Sequence, residues 1–590
     1  MTDSRKVFRA TIVLTAILAL SSPLFAQQAA DEVAPEATTS LAAKRAIQPV
    51  KSKSWMVSVA NPYAANAAAN VLAKGGSAAD AAIAAQLVLG LIEPQSSGLG
   101  GGAFVVHYNA TTQRLTTLDG RETAPLAADS NLFLSADGEP LKFFDAVIGG
   151  RSVGTPGTPA LLDTMHSKWG ELEWSALFDD AIPLAENGFI VSSRLSGLIE
   201  RNAESLARHA PSAAYFLPNG QPLKMGVRLQ NPAYADTLKA FLNERSRPFY
   251  QGQIATDIIS TVKGFSANPG LLEQADFNAY QAKERPAVCA KFLAYNVCGM
   301  GPPSSGALTL GQILQIVEPW KIETRSPDDA QTWRLIGDAS RLAFADRGRY
   351  MADSDFIKMP TKGLLKQSYT DARSRLLKIE KALEKAPVGE PEWDDAALPR
   401  ADDESLELPS TSHLSIVDAQ GNIVSMTTTI ENGFGSRLMT NGFLLNNELT
   451  DFSFRPERNG KPIANRVEPG KRPRSSMSPT IVMKEGKPVL VIGSPGGSRI
   501  IPYVANAIIA HLAWGENIQQ AIARPHLVNR FGTYDLEKGT SAEAFEPSLQ
   551  ALGFKTNIRE LNSGLHAISI TPEGLSGGAD PRREGIVLGK

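Results

Sequence analysis

Apolar residues recur at helical spacing over much of the first 390 residues and at alternate positions after Thr411. The early stretch "AANAAANVLAKGGSAADAAIAAQLVLGLIEP" predicts two alanine-rich helices that pack closely. Gly75-Gly76 closes the first, and Ser77 with Asp80 three residues on makes a capping box for the second. "EPQSSGLGGGAFVVHYN" is a glycine-rich turn running into a strand. Residues 158–284 read as mainly helical, and "DAQTWRLIGDASRLAFADRGRYM" continues that texture. Periodicity then fades in "PVGEPEWDDAALPRADDESLELPS", which predicts an exposed, mobile acidic connector over 387–410.

Beyond it, "SHLSIVDAQGNIVSMTTTI" alternates on both sides of "DAQGN" and predicts a β-hairpin. "PTIVMKEGKPVLVIGSPGG" predicts a second, turning at Glu485-Gly486. Helices "IPYVANAIIAHLAWG" and "NIQQAIARPH" and a strand, "HAISITP", follow. Consecutive hairpins argue for an α+β fold with antiparallel sheets layered by helices, not a doubly wound parallel sheet.

Composition narrows the class. With 43% hydrophobic and 20% charged residues and a net charge of −2, the chain is globular and lacks a nucleic-acid binder's basic footprint. At the N-terminus Arg5, Lys6 and Arg9 precede an apolar run from Ala10 to Leu20 and a small-residue exit through Ala26. That is the pattern of a secretory signal over 1–26, too short for a comfortable membrane span. It predicts an exported protein, periplasmic or extracellular, whose mature chain starts near Gln27; an uncleaved anchor is the alternative. Cys289 and Cys298, the two cysteines, are close enough for a hairpin disulfide in an oxidising compartment, or are two half-buried thiols.

Three stretches invite a chemical reading. Gly150-Arg151-Ser152-Val153-Gly154 matches G-x-S-x-G, but Pro156 and Pro159 oppose the immediate helix a nucleophile elbow needs. Gly100-Gly101-Gly102 lacks a Walker lysine and precedes a strand, so close backbone approach explains it better. The third is Ser410-Thr411-Ser412-His413, at the junction of connector and strand. An internal threonine hydroxyl has no base at hand. Cutting the bond before it would supply an α-amine with a reference pKa of ~7.7–8.0. Gly496-Gly497 in "GSPGGSR" could then present backbone N–H groups to an oxyanion. The competing reading is a plain strand start and a plain turn.

Resemblance adds to this. "TSHLSIVDAQGNIVSMTTTIENGFGS", "GFLLNNELTDFS", "KRPRSSMSPTIV" and "GSPGGSRI" together resemble the small subunit of the gamma-glutamyltransferase family. "EPQSSGLGGGAFVVHY", "DGRETAP", "SVGTPGTPALL" and "GPPSSGALTLGQIL" resemble its large subunit in the same order. The resemblance implies an N-terminal nucleophile hydrolase fold, a four-layer αββα sandwich of two subunits cut from one precursor. The cut would fall between Ser410 and Thr411, giving a large subunit, 27–410, and a small one, 411–590. Thr411 would be the nucleophile, Thr429 would position it, and Gly496 and Gly497 would form the oxyanion hole. Arg121, Ser475 and Ser476 would bind the α-carboxylate of a γ-glutamyl donor, and Glu448 and Asp451 its ammonium.

Glu431 stands where the family often has asparagine, and could strengthen ammonium binding or retune the acyl preference. The segment between Asp451 and Ser475 lacks a tyrosine found in the covering loop of some members, which would open the pocket to bulkier acyl groups. The implied reaction takes glutathione or another γ-glutamyl compound and transfers the acyl group to water or to an amino-acid or dipeptide amine. It needs no metal or organic cofactor. The rivals are a glutaryl (cephalosporin) acylase with the same nucleophile, and an unprocessed, non-catalytic binding protein.

Overall fold

The computed structural model describes residues 48–378, 380–393 and 398–590. The signal-like segment lies outside them, as does part of the connector. Among the described residues no helix is long and apolar enough to cross a membrane.

Two seven-stranded sheets form the centre, and every neighbouring pair within them is antiparallel. In the first, Ser412–Val417 and Ile423–Thr429 lie at the middle, flanked by Met56–Val59 and Gly102–Asn109. The second has Lys487–Gly493 and Thr480–Lys484 at its middle. Strand alternation sorts the side chains into layers. Leu414, Ile416, Val424 and Met426 join an outer core with the alanine-rich helices Pro62–Ala73 and Ala78–Ile92. Val417 and Ile423 face the other way, into an inter-sheet core with Ile481, Val491 and Ile568. The opposite faces of the second sheet, through Val482, Leu490 and Ile492, bury against Gly306–Val317, Ala330–Tyr350 and Ile500–Ile508. The result is helix, sheet, sheet, helix: the four-layer sandwich of the N-terminal nucleophile hydrolases.

Local chemistry explains the predicted elements. Ser77 and Asp80 close the capping box at the second helix. Both hairpins form, the second with positive φ at Glu485 and Gly486, the twist a two-residue turn needs. Cys289 and Cys298 face each other across an edge hairpin and are joined by a disulfide. Ser152 sits in a short 3-10 turn and donates to Val147 O at 2.6 Å, so no elbow forms. The Gly100–Gly102 run is a close-approach site: a Cβ on Gly101 would lie 2.0 Å from Thr429 O.

The connector departs from expectation. Its described end, 398–410, is mostly half-buried or buried, with Ser410 fully so. The acidic composition that reads as solvated is paired instead: Asp402 with Arg349, Asp403 with Arg474, Glu404 with Arg458 and Glu407 with Arg347. The hairpin Glu457–Arg458/Lys461–Pro462, in the tyrosine-free segment, binds the connector through Ala401 N–H to Pro462 O at 3.1 Å.

Candidate active site

The register that pairs Ser412 with Thr428 brings Thr411 and Thr429 together at the same end of adjacent central strands, their hydroxyls 3.4 Å apart. Both converge on one atom. Thr411 Oγ1 donates to Ser410 O at 2.6 Å and Thr429 Oγ1 to the same oxygen at 2.9 Å. Thr429 Oγ1 is aimed by Glu431 N–H, which donates to it at 2.9 Å. The far side of Thr411 is fixed by Arg583 Nη1, which donates to its carbonyl at 2.9 Å, while Ser410 Oγ donates to Gln95 O. A carbonyl with two hydroxyl donors is polarised toward attack, and one of those hydroxyls belongs to the next residue.

The remaining predicted residues gather around this pair. All of them except Ser410 and Gly496 line one cavity of about 20 Å³ with Thr411. That space holds about one water molecule. It is small because Glu407 and Leu408 of the connector fill the groove: a Cβ on Gly497 would lie 2.8 Å from Leu408 O and 3.0 Å from Glu407 O. Gly496 (φ 136°) and Gly497 (φ 58°) take positive φ just before helix Ile500–Ile508. The pocket widening foreseen from the missing tyrosine does not occur in the uncut chain.

Arg121 is buried, not a surface partner of Glu122. Its guanidinium pairs with Glu448 and, at 2.5 Å, with Asp451, and donates to the Arg474 and Pro473 carbonyls. Glu431 accepts from Leu408 N–H at 3.2 Å and from Asn447 Nδ2.

Residues 64–589 match the family model for gamma-glutamyltranspeptidase. The glutathione hydrolase proenzyme of Bacillus subtilis (strain 168) is 35% identical over 550 residues, 91% of this chain and 92% of its own. That of Escherichia coli (strain K12) is 34% identical over 548, covering 90% and 91%. This chain belongs to the gamma-glutamyltranspeptidase family. Among solved structures, a cephalosporin acylase from Bacillus halodurans superposes with a TM-score of 0.80 at 24% identity, over 92% of this chain and 97% of that one, a likeness of fold.

Within this transpeptidase fold, charge is unevenly divided. Glu122, Glu448 and Asp451 crowd about Arg121, Glu431 stands beside Glu448 and Asp451, and burial pushes all four carboxyls above their usual range. Arg121 pulls back on the two it touches, Glu448 and Asp451. Burial, with Glu448 beside it, raises the Glu122 carboxyl well above its usual range. Asp451 Oδ1 is buried with no hydrogen-bond partner among the described protein atoms. Burial would also push Glu407 up, but Arg347 and Arg474, helped by Ser476, hold its carboxyl at about 2.

Four residues escaped the sequence reading: Glu407, Arg347, Arg474 and Arg583. Glu407 and Arg474 lie inside quoted motifs, "SLELPS" and "KRPRSS", but nothing local marks their pairing. His413, two residues after Thr411, is packed into the core. Burial holds it neutral, well below its usual value, between Thr427 Oγ1 and Ser415 Oγ.

Proposed function

We propose that this enzyme is a self-processing gamma-glutamyltransferase and glutathione hydrolase. The observation that carries the reading is the convergence of the Thr411 and Thr429 hydroxyls on the Ser410 carbonyl. Thr411 Oγ1 attacks the Ser410 carbonyl carbon, the Ser410–Thr411 C–N bond breaks, and the hydroxyl proton ends on the Thr411 nitrogen. Water then hydrolyses the ester, leaving a carboxylate at Ser410 and a free amine on Thr411. The large and small subunits stay together as one sandwich, since strands 412–417 and 423–429 sit between strands from the other side of the cut.

In the cut enzyme the Thr411 amine takes the hydroxyl proton while Oγ1 attacks the γ-carbonyl of the donor, and passes it to the leaving amine. Backbone N–H groups at Gly496 and Gly497 stabilise the oxyanion. Arg121, Ser475 and Ser476 orient the donor carboxylate. Water or an amino-acid or dipeptide amine resolves the acyl-enzyme, with no cofactor in either step. The acid-rich cluster favours a γ-glutamyl over a glutaryl donor. Asp451 has an open acceptor, and Glu431 and Glu448 line the same cavity with further acceptor oxygens, so an ammonium is welcome where a methylene is not. The signal-like N-terminus supports an exported enzyme.

The test is twofold. Purified wild type should run as two bands, with the small one starting at Thr411, and should cleave γ-glutamyl-p-nitroanilide faster than its glutaryl analogue. Thr411→Ala should stay one chain and lose activity by ~10³-fold or more. Splitting of that variant at the same bond would overturn the self-cleavage.

A further inference from the structure

The connector leaves a mould of what the site accepts. Glu407, four residues before Thr411, is buried, and its carboxylate is held from three sides. Oε1 takes Arg347 Nη2 and, at 3.3 Å, Arg474 Nη2, and Oε2 takes Ser476 Oγ. The receptor is built independently of Glu407. Arg347 Nε donates to Ser305 Oγ and its Nη2 to Ser476 Oγ, both at 2.8 Å, and Ser305 N–H and Oγ both donate to Ser475 O. Arg474 Nε and Nη1 are buried with no hydrogen-bond partner among the described protein atoms, so donor capacity is left over.

Charge makes the same point. Among the described residues Glu407 is the only carboxylate paired with Arg347, and Arg474 pairs with Glu407 and Asp403, both on the connector. A cavity of about 20 Å³ admits no donor until Glu407 and Leu408 withdraw. Their withdrawal strips Arg347 of its carboxylate and leaves Arg474 with Asp403 alone, a costly state that a new anion relieves. Ser476 belongs to both the Glu407 receptor and the donor-carboxylate assignment above.

We propose that Arg347, Arg474 and Ser476 form a carboxylate subsite beside Thr411, filled by the Glu407 side chain in the uncut chain and by the terminal carboxylate of the donor's acyl chain after cleavage. The inference rests on the proposed acyl transfer and extends it, adding two arginines to the specificity-determining residues. Glu407 is thereby a built-in plug that leaves once the Ser410–Thr411 bond is cut. The ligand class is an acyl chain ending in a carboxylate, whether the α-carboxylate of γ-glutamyl or the distal one of glutaryl.

The experiment compares cut wild type, Arg474→Gln and Arg474→Lys on γ-glutamyl-, glutaryl- and butyryl-p-nitroanilide, the last lacking the carboxylate. Arg474→Gln should raise KM for both carboxylate donors at least tenfold with kcat within threefold. Its preference for glutaryl over butyryl should fall by a similar factor, and Arg474→Lys should recover part of it. An unaltered preference with Thr411-dependent turnover intact would overturn the subsite and leave the acyl transfer standing. Wild type that is neither cut nor active would overturn both. Should Arg474→Gln stay uncut, a crystal structure of cut wild type soaked with L-glutamate decides. A ligand carboxylate on Arg474 and Ser476 supports the subsite, and Glu407 still seated there overturns it.

Discussion

Two buried charge clusters flank Thr411, and their balances are opposite. Around Arg121 the acids outnumber the cation: Glu448 and Asp451 pair with its guanidinium, Glu122 and Glu431 stand beside them, and burial raises all four carboxyls. Around Glu407 two guanidiniums, Arg347 and Arg474, meet carboxylates that come, among the described residues, only from the connector, and Glu407's carboxyl is held at about 2. One side of the groove is short of positive charge, and the other becomes short of negative charge once the connector leaves. A zwitterionic amino-acid head answers both deficits at once. Under the proposed acyl transfer, selectivity for such a head would rest on the separation of the two clusters more than on any single residue.

The comparison breaks first at Asp451. Asp451→Asn keeps the shape and removes the acid whose Oδ1 is open, so binding of an ammonium should suffer. Truncating one partner of a buried charge pair costs about 2 kcal/mol or more, so kcat/KM for γ-glutamyl-p-nitroanilide should fall ~30-fold or more. The glutaryl analogue, with no ammonium, should change less than about threefold on the same scale. Equal losses on the two donors would mean that the acid cluster does not read the ammonium.

Glu407→Gln probes the other cluster, in the uncut Thr411→Ala chain where the plug stays in place. A carboxyl held at about 2 in the fold, against ~4.3 unfolded, contributes about 3 kcal/mol at neutral pH. The sign follows from the lowered value: the contribution is full above the unfolded pKa and drains away as pH falls from ~4.3 toward 2. Denaturant unfolding should show Glu407→Gln less stable at pH 7, with the gap narrowing below pH ~4. A gap independent of pH would assign the loss to packing, not charge.

What could be read from the sequence follows from the range of each interaction. The capping box at Ser77, the turn at Glu485-Gly486 and the hydroxyl at the head of a strand are each decided within a few residues. All were legible. The four-layer fold and the predicted site residues came from motifs that together span most of the chain. The arginine-rich cluster was not legible, because Glu407 meets its partners across 60 residues to Arg347 and 67 to Arg474. The connector was misread for the same reason. A run of acids looks solvated until the arginines that neutralise it, on distant segments, are known.

The smallest effect is expected at Glu122, and it tests the protonation that the comparison assumes. Glu122 is boxed in, with its Oε2 2.3 Å from where a Cβ on Gly102 would stand, and burial beside Glu448 raises its carboxyl well above the usual range. Gln is nearly isosteric with a protonated Glu and can likewise donate to Glu448. Glu122→Gln should therefore cost less stability at pH 5 than the ~1 kcal/mol of a typical point substitution and leave γ-glutamyl turnover near wild type. A carboxyl raised in the fold costs stability as pH climbs from ~4.3 through its folded value, because the unfolded chain releases the proton first. Gln has no proton to release, so the variant should gain on wild type between pH 5 and pH 8 in thermal unfolding. A variant that instead stays below wild type by a constant margin across that range would mean that Glu122 is ionised and serves as a third counter-charge to Arg121. The imbalance between the two clusters would then be smaller than the geometry implies.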